Sequence, residues 1–251
     1  MMASRYRLMT IGPSHYCEKA RWGLDFFGVD YTEDKHPPLV HWAWSLPSGG
    51  GRTVPILRAG KRVIGDSSAI LRYLDDEHAD TRRLYPVDDG LRAEVEQLQD
   101  RFDTRLGPHT RRVVYFHLLP LRSVALEAIE PGVGGIQRLV FRTGFPFFRW
   151  LMRRGMNISP TSAERSLDYT RRVFHAVDER LSDGREFLVG DVFTAADLSF
   201  ASLAAPVLLP LEYGAPLPGM AELPIDVMTM VEELRETSAG AFALRIYRNH
   251  R

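Results

Sequence analysis

Residues 6–11 (Tyr-Arg-Leu-Met-Thr-Ile) form a short apolar run that halts at Gly12-Pro13 and passes at once into a helical pattern from Ser14 to Gly28. A second strand pattern follows from Val29 to Lys35. Two strands joined through a helix must lie parallel, with a right-handed crossover between them. In the helix, Cys17, Ala20, Leu24 and Phe27 recur at the three-then-four spacing of one buried face, and Gly28 stands where a left-handed C-terminal residue is expected. His36 to Leu46 reads as irregular or a short helix. Val54-Pro55-Ile56-Leu57 and Arg62-Val63-Ile64 then flank Ala59-Gly60 as a hairpin, and Asp66-Ser67-Ser68 caps a helix reaching about Glu77. The predicted order is β-α-β-α-β-β-α.

Beyond a polar linker, His78 to Asp89, strand alternation disappears. Helices are predicted from Leu91 to about Leu119, around Ile136 to Met152, and over Thr161 to Leu181, Thr194 to Leu209 and Glu222 to Glu236. The chain of 251 residues therefore divides into a small α/β domain, residues 1–80, and a larger all-helical domain, residues 90–251.

Basic and acidic residues number 32 each, so no whole-protein field directs the chain toward nucleic acid or a membrane surface. Cys17 is the sole cysteine, which rules out an intrachain disulfide. Met1 to Arg5 lacks the apolar core of a signal peptide and no uncharged stretch reaches membrane-spanning length, so a soluble, cytoplasmic protein is expected. The histidines are dispersed and no glycine-rich phosphate loop follows a strand, so neither a metal site nor a nucleotide site is expected.

The strand-to-helix junction is the chemically suggestive part. A helix N-terminus offers free N–H groups and a positive dipole end, which favour a thiolate or an oxyanion. Ser14 places a hydroxyl there and Cys17 a thiol three residues later, the groups sulfur chemistry would use. As purely structural elements, Ser14 is a helix cap and Cys17 a small buried hydrophobe.

Four motifs in register resemble the glutathione S-transferase superfamily. They are Ser14 to Cys17 with the helix that follows, Thr53-Val54-Pro55-Ile56-Leu57, Asp66-Ser67-Ser68-Ala69-Ile70, and Phe187 to Asp197, in which Thr194 and Asp197 would form a capping box. The resemblance implies a thioredoxin-like N-terminal domain, an all-helical C-terminal domain, glutathione as co-substrate, and a homodimer. It implies that Ser14 donates to the glutathione sulfur and that Val54, before a cis Pro55, pairs with the cysteinyl backbone. Asp66 and Ser67 would receive the glutamyl end, and Arg52 the glycyl carboxylate, with His41 and Trp42 as weaker candidates. His15 departs from the proline common beside the family's serine. The implied reaction is attack of the glutathione thiol on an apolar electrophile held by the helical domain. A non-catalytic interaction module, or a thiol oxidoreductase using Cys17, are the alternatives.

Two further stretches stand out. His109, Arg111, Tyr115 and His117 lie on one helix that could face the cleft. Pro131 to Ala163 contains no acidic residue and mixes arginines with aromatics. It reads first as an inserted helix with a basic solvent face, then as a pocket wall, and last as a membrane contact.

Overall fold

Tyr6, Leu8 and Thr10 alternate inward along β1 (Tyr6–Thr10), the strand on which the small domain is built. The computed structural model describes residues 5–251. After β1 come α1 (His15–Phe26), β2 (Tyr31–Lys35), the short α2 (Trp42–Ser45), β3 (Ile56–Ala59), β4 (Arg62–Gly65) and α3 (Ser67–Glu77). The sheet order is β2-β1-β3-β4, with β1 and β2 parallel and β3 antiparallel to its neighbours β1 and β4. This is the predicted thioredoxin-like arrangement. Gly28 takes φ +64°, as a helix-terminating residue in the left-handed region does.

The rest of the chain is helical: α4 (Asp89–Arg101), α5 (Gly107–Leu118), α6 (Arg122–Ile129), α7 (Gly135–Gly155), α8 (Pro160–Leu181), α9 (Ala195–Leu208), α10 (Ile225–Glu236) and α11 (Ser238–His250). The single helix expected from Leu91 to Leu119 is broken by a π-helical turn over Phe102–Leu106. Pro108 has no N–H to return to the carbonyl four residues earlier, and the ladder widens just before it. α6 and α11 lie outside the helices that the sequence pattern predicts. α9 is buried along nearly its whole length and packs against α1, α4, α5, α10 and α11. Its start is the predicted capping box: Asp197 accepts from the Thr194 N–H at 2.8 Å and the Leu188 N–H at 2.7 Å.

α1 is enclosed on two sides. Ala20 and Leu24 pack with Leu8, Leu57, Ile70 and Leu74 beneath the sheet. On the opposite side Trp22 joins the helical core, its ring 4.5 Å from that of Tyr247 and its indole N–H donating to the His250 carbonyl at 2.8 Å. Glu18, Lys19 and Arg21, polar positions that a periodicity argument assigns to solvent, are buried. They survive burial because each is paired, as buried charges must be. Arg21 bonds Glu18 at 2.6 Å and Glu33 at 2.9 Å, and Arg251 reaches Glu18 at 2.7 Å.

Candidate functional site

Met9 pairs with Ile56, and Ile56 with Gly65. The loops leaving β1, entering β3 and leaving β4 therefore emerge at one end of the sheet. Those loops carry Ser14, Val54-Pro55 and Asp66-Ser67, so the strand register alone collects the residues singled out by the motifs. The Val54–Pro55 bond is cis. Val54 is half-buried and lies just outside the β1–β3 pairing.

At the start of α3, Asp66 adopts φ +73° and its carboxylate accepts from the Ser68 N–H at 2.9 Å and the Ala69 N–H at 3.1 Å. It is the helix cap the sequence predicts. The neighbouring Ser67 is buried, and its hydroxyl has no hydrogen-bond partner among the described residues. Such a group is costly to bury unless something else is to meet it. Behind it, Ser68 donates to Asp103 and accepts from Lys19 at 2.7 Å, while Lys19 reaches both oxygens of Asp103 at 2.7 and 2.8 Å. This cluster ties α1 and α3 to the π-helical turn. It escaped the sequence reading because Asp103 lies 84 residues from Lys19 and no local pattern links them.

Ser14 occupies the cap position of α1, with its N–H donating to Ile11 O at 3.0 Å, yet its side chain makes no capping bond. The half-buried Ser14 side chain lies beside the Cys17 thiol. Cys17 is fully buried, and that burial pushes its thiol up from the ordinary range, so it stays protonated at neutral pH. His15 is also buried. Desolvation, assisted by the Arg111 charge, lowers it to about 3, and the neutral ring donates from Nε2 to Gly107 O at 3.0 Å. The tight turn before α1 is held from the far domain, where the Tyr213 hydroxyl donates to Pro13 O at 3.1 Å.

Beside this turn an apolar pocket opens between the two domains. Pro13 and His15 form one wall, Val114 and Leu118 of α5 another, and Ala125 and Ile129 of α6 a third. Arg111 and Tyr115 also line it. Burial drives the Tyr115 phenol above its usual value. Arg111 is the one charged lining residue, half-buried and without an ion pair among the described residues. Of the four candidates on this helix, only these two face the pocket. His109 stacks on Tyr169, ring centroids 4.4 Å apart, and bonds Ser166 at 3.1 Å, while His117 sits 3.3 Å from Asp226.

Arg52 is exposed. Its carbonyl accepts from Trp42 Nε1 at 2.9 Å and His41 Nε2 at 3.0 Å, and its guanidinium lies over the Trp42 ring at 5.7 Å. His41 and Trp42 thus shape the loop carrying Arg52. His41 itself is buried and held neutral by desolvation.

Residues 8–82 match a family model described as glutathione S-transferase, N-terminal domain, and residues 143–223 one described as glutathione S-transferase, C-terminal domain. The chain belongs to the glutathione S-transferase superfamily. Similar solved structures include the Beta-etherase LigF from Sphingobium sp. strain SYK-6, at 17% identity and a TM-score of 0.62, covering 96% of this chain and 99% of that one. Another is the glutathione transferase URE2P8 from Phanerochaete chrysosporium with oxidized glutathione, at 17% identity and TM-score 0.59, covering 98% and 96%. The theta class glutathione S-transferase from Xanthomonas axonopodis pv. citri with glutathione bound aligns at 18% identity and TM-score 0.57, covering 96% and 97%. At these identities the likeness is one of fold. A sequence search of curated proteins finds no match.

Proposed function

We propose that this chain is a glutathione-dependent transferase of the serine type, residues 1–80 holding the tripeptide and 90–251 the electrophile. The observation that carries the reading is the buried, unpartnered Ser67 hydroxyl at the N-terminus of α3. A carboxylate placed there meets a hydroxyl donor and a positive helix end together, the combination that receives anions elsewhere. Val54, at the same end of the sheet, would pair with the cysteinyl backbone. Asp66 would face the glutamyl ammonium and Arg52 the glycyl carboxylate. The glutathione bound in the Xanthomonas and Phanerochaete structures supports a ligand of this kind.

The chemistry then falls to Ser14. Its hydroxyl, which makes no capping bond, donates to the glutathione sulfur and stabilises the thiolate while the thiol proton passes to solvent. The thiolate attacks an electrophilic carbon in the apolar pocket: a C–S bond forms, and the electron pair departs with the leaving group or moves onto an acceptor within the substrate. Arg111 stands where that developing negative charge would be met. Cys17, buried and protonated, is assigned no step. The protein is further proposed to act in the cytoplasm as a homodimer, with the small domain of one protomer against the helices of its partner, a reading supported by membership of the superfamily.

The test combines calorimetric titration with glutathione and turnover of an aryl halide. Wild-type protein binds glutathione and turns over. Ser14→Ala keeps binding but loses about 10- to 100-fold in kcat/KM, the worth of one charge-assisted hydrogen bond. Absence of glutathione binding by the wild type overturns the reading.

A further inference from the structure

α7 carries two apolar faces. The inner one, Phe141, Phe145 and Met152, is buried, with Phe141 and Phe145 packed on Ala125, Leu126 and Ile129 of α6. On the opposite side Ile136, Leu139, Phe147 and Trp150 recur at helical spacing and are 83, 62, 59 and 57% exposed. Phe147 stacks on Trp150 with centroids 6.1 Å apart, two aromatic rings side by side in solvent. The expected basic solvent face is therefore apolar. The arginines lie along one edge instead: Arg138, Arg142, Arg149 and Arg153 follow one another at intervals of four, seven and four. Of these only Arg142 is paired, to Glu130 at 2.6 Å; Arg138, Arg149, Arg153 and the adjacent Arg154 form no ion pair among the described residues. No acidic residue occurs from Pro131 to Ala163.

An exposed apolar stripe of this length marks an interaction surface, and its charge narrows the choice of occupant. A second copy packed antiparallel, face to face about a two-fold axis across the helix, would set one arginine edge beside the other, with no carboxylate on either helix to offset them. An anionic lipid surface satisfies both parts. The acyl boundary takes the leucine, isoleucine and aromatic side chains, and the arginine heads reach the phosphates beside them. No helix among the described residues is long and apolar enough to cross a membrane, so α7 would lie in the plane.

We infer that α7 docks this protein onto an anionic lipid surface through Ile136, Leu139, Phe147 and Trp150, with its arginine edge on the headgroups. The same helix contributes Met152 to the apolar pocket, and α6 beneath it contributes Ala125 and Ile129. Docking thus brings the pocket within about one helix diameter, roughly 10 Å, of the layer where apolar electrophiles concentrate. The inference does not depend on the transferase reading.

Flotation of the full chain with vesicles tests it, comparing phosphatidylcholine alone with an equal mixture of phosphatidylcholine and phosphatidylglycerol. The bound fraction is expected to be about tenfold higher on the anionic vesicles and to fall with added salt. Phe147→Ser/Trp150→Ser and, separately, Arg149→Glu/Arg153→Glu should each reduce it about tenfold while the circular dichroism spectrum is unchanged. All substituted positions lie outside the packed face, and two independent variants guard against a folding artefact. Failure to float with anionic vesicles, equal binding to neutral ones, or indifference to both variants overturns the inference. So does a dimer in sedimentation that Phe147→Ser/Trp150→Ser dissociates, which would assign the stripe to a second copy.

Discussion

His15 Nε2 donates to Gly107 O across 3.0 Å, joining the first turn of α1 to the first residue of α5. The residue standing where the family commonly carries proline thus spans the boundary between the domains. Gly107 permits the approach, because a Cβ there would run into the Tyr16 hydroxyl and crowd the His15 ring. His15, a departure from the family's usual proline, is thus itself an anchor of the turn.

His15 makes stability sensitive to acid. In the folded protein burial holds its pKa at about 3, against 6.5 for an ordinary histidine. Between those values the unfolded chain binds a proton that the native state refuses, so stability is complete above the upper limit and declines as pH falls toward the lower one. From pH 7 to pH 5 the loss from this residue is about 2 kcal/mol. His15→Gln keeps a donor for Gly107 but cannot titrate. Unfolding free energies from denaturant titration at both pH values should differ by that much less in this variant than in the wild type.

Replacement of Cys17 separates the two sulfur chemistries. Cys17 is buried and its thiol is held protonated, so Cys17→Ala removes no group that the proposed conjugation uses. Conjugation should persist within about twofold. Loss of turnover in this variant would instead favour thiol transfer through Cys17.

Lys19 and Asp103 should respond unequally to substitution. Lys19 is fully buried, whereas Asp103 keeps 17% of its side chain exposed. Asp103→Ala strands an ammonium in the interior and should cost about 3 kcal/mol. Lys19→Met leaves a carboxylate that retains water and Ser68, and should cost about 1 kcal/mol. Chemical denaturation of both variants checks the order.

Arg111 predicts a preference within the pocket. Anilinonaphthalene sulfonate and the uncharged phenylnaphthylamine share an apolar body and differ in one anion. Wild-type protein should bind the sulfonate about tenfold more tightly, and Arg111→Met should erase that difference while sparing the neutral probe. Fluorescence titration reads both, and equal affinities in the wild type would remove Arg111 from substrate recognition.

Much of the small domain, and the start of α9 in the larger one, is legible in the sequence because the signals are local. The Gly12-Pro13 break, Gly28 at a helix end, the Asp66 cap and the Thr194–Asp197 box each involve neighbours in the chain, and all stand in the structure. What local pattern cannot carry is the second side of α1. Glu18, Lys19 and Arg21 look like solvent residues until another domain is laid over them, and their partners Glu33, Asp103 and Arg251 come from three separate elements. The same limit hides the site. Arg111 and Tyr115 face the pocket while His109 and His117 do not, and only the placement of α6 and α8 around α5 decides between them.

Enclosure of α1 from both directions has a bearing on how the molecule comes apart. Removing the helices would leave Trp22 and three ionised side chains facing water on an otherwise intact sheet. The small domain is therefore expected not to fold alone, and heating should melt sheet and bundle together in one cooperative transition.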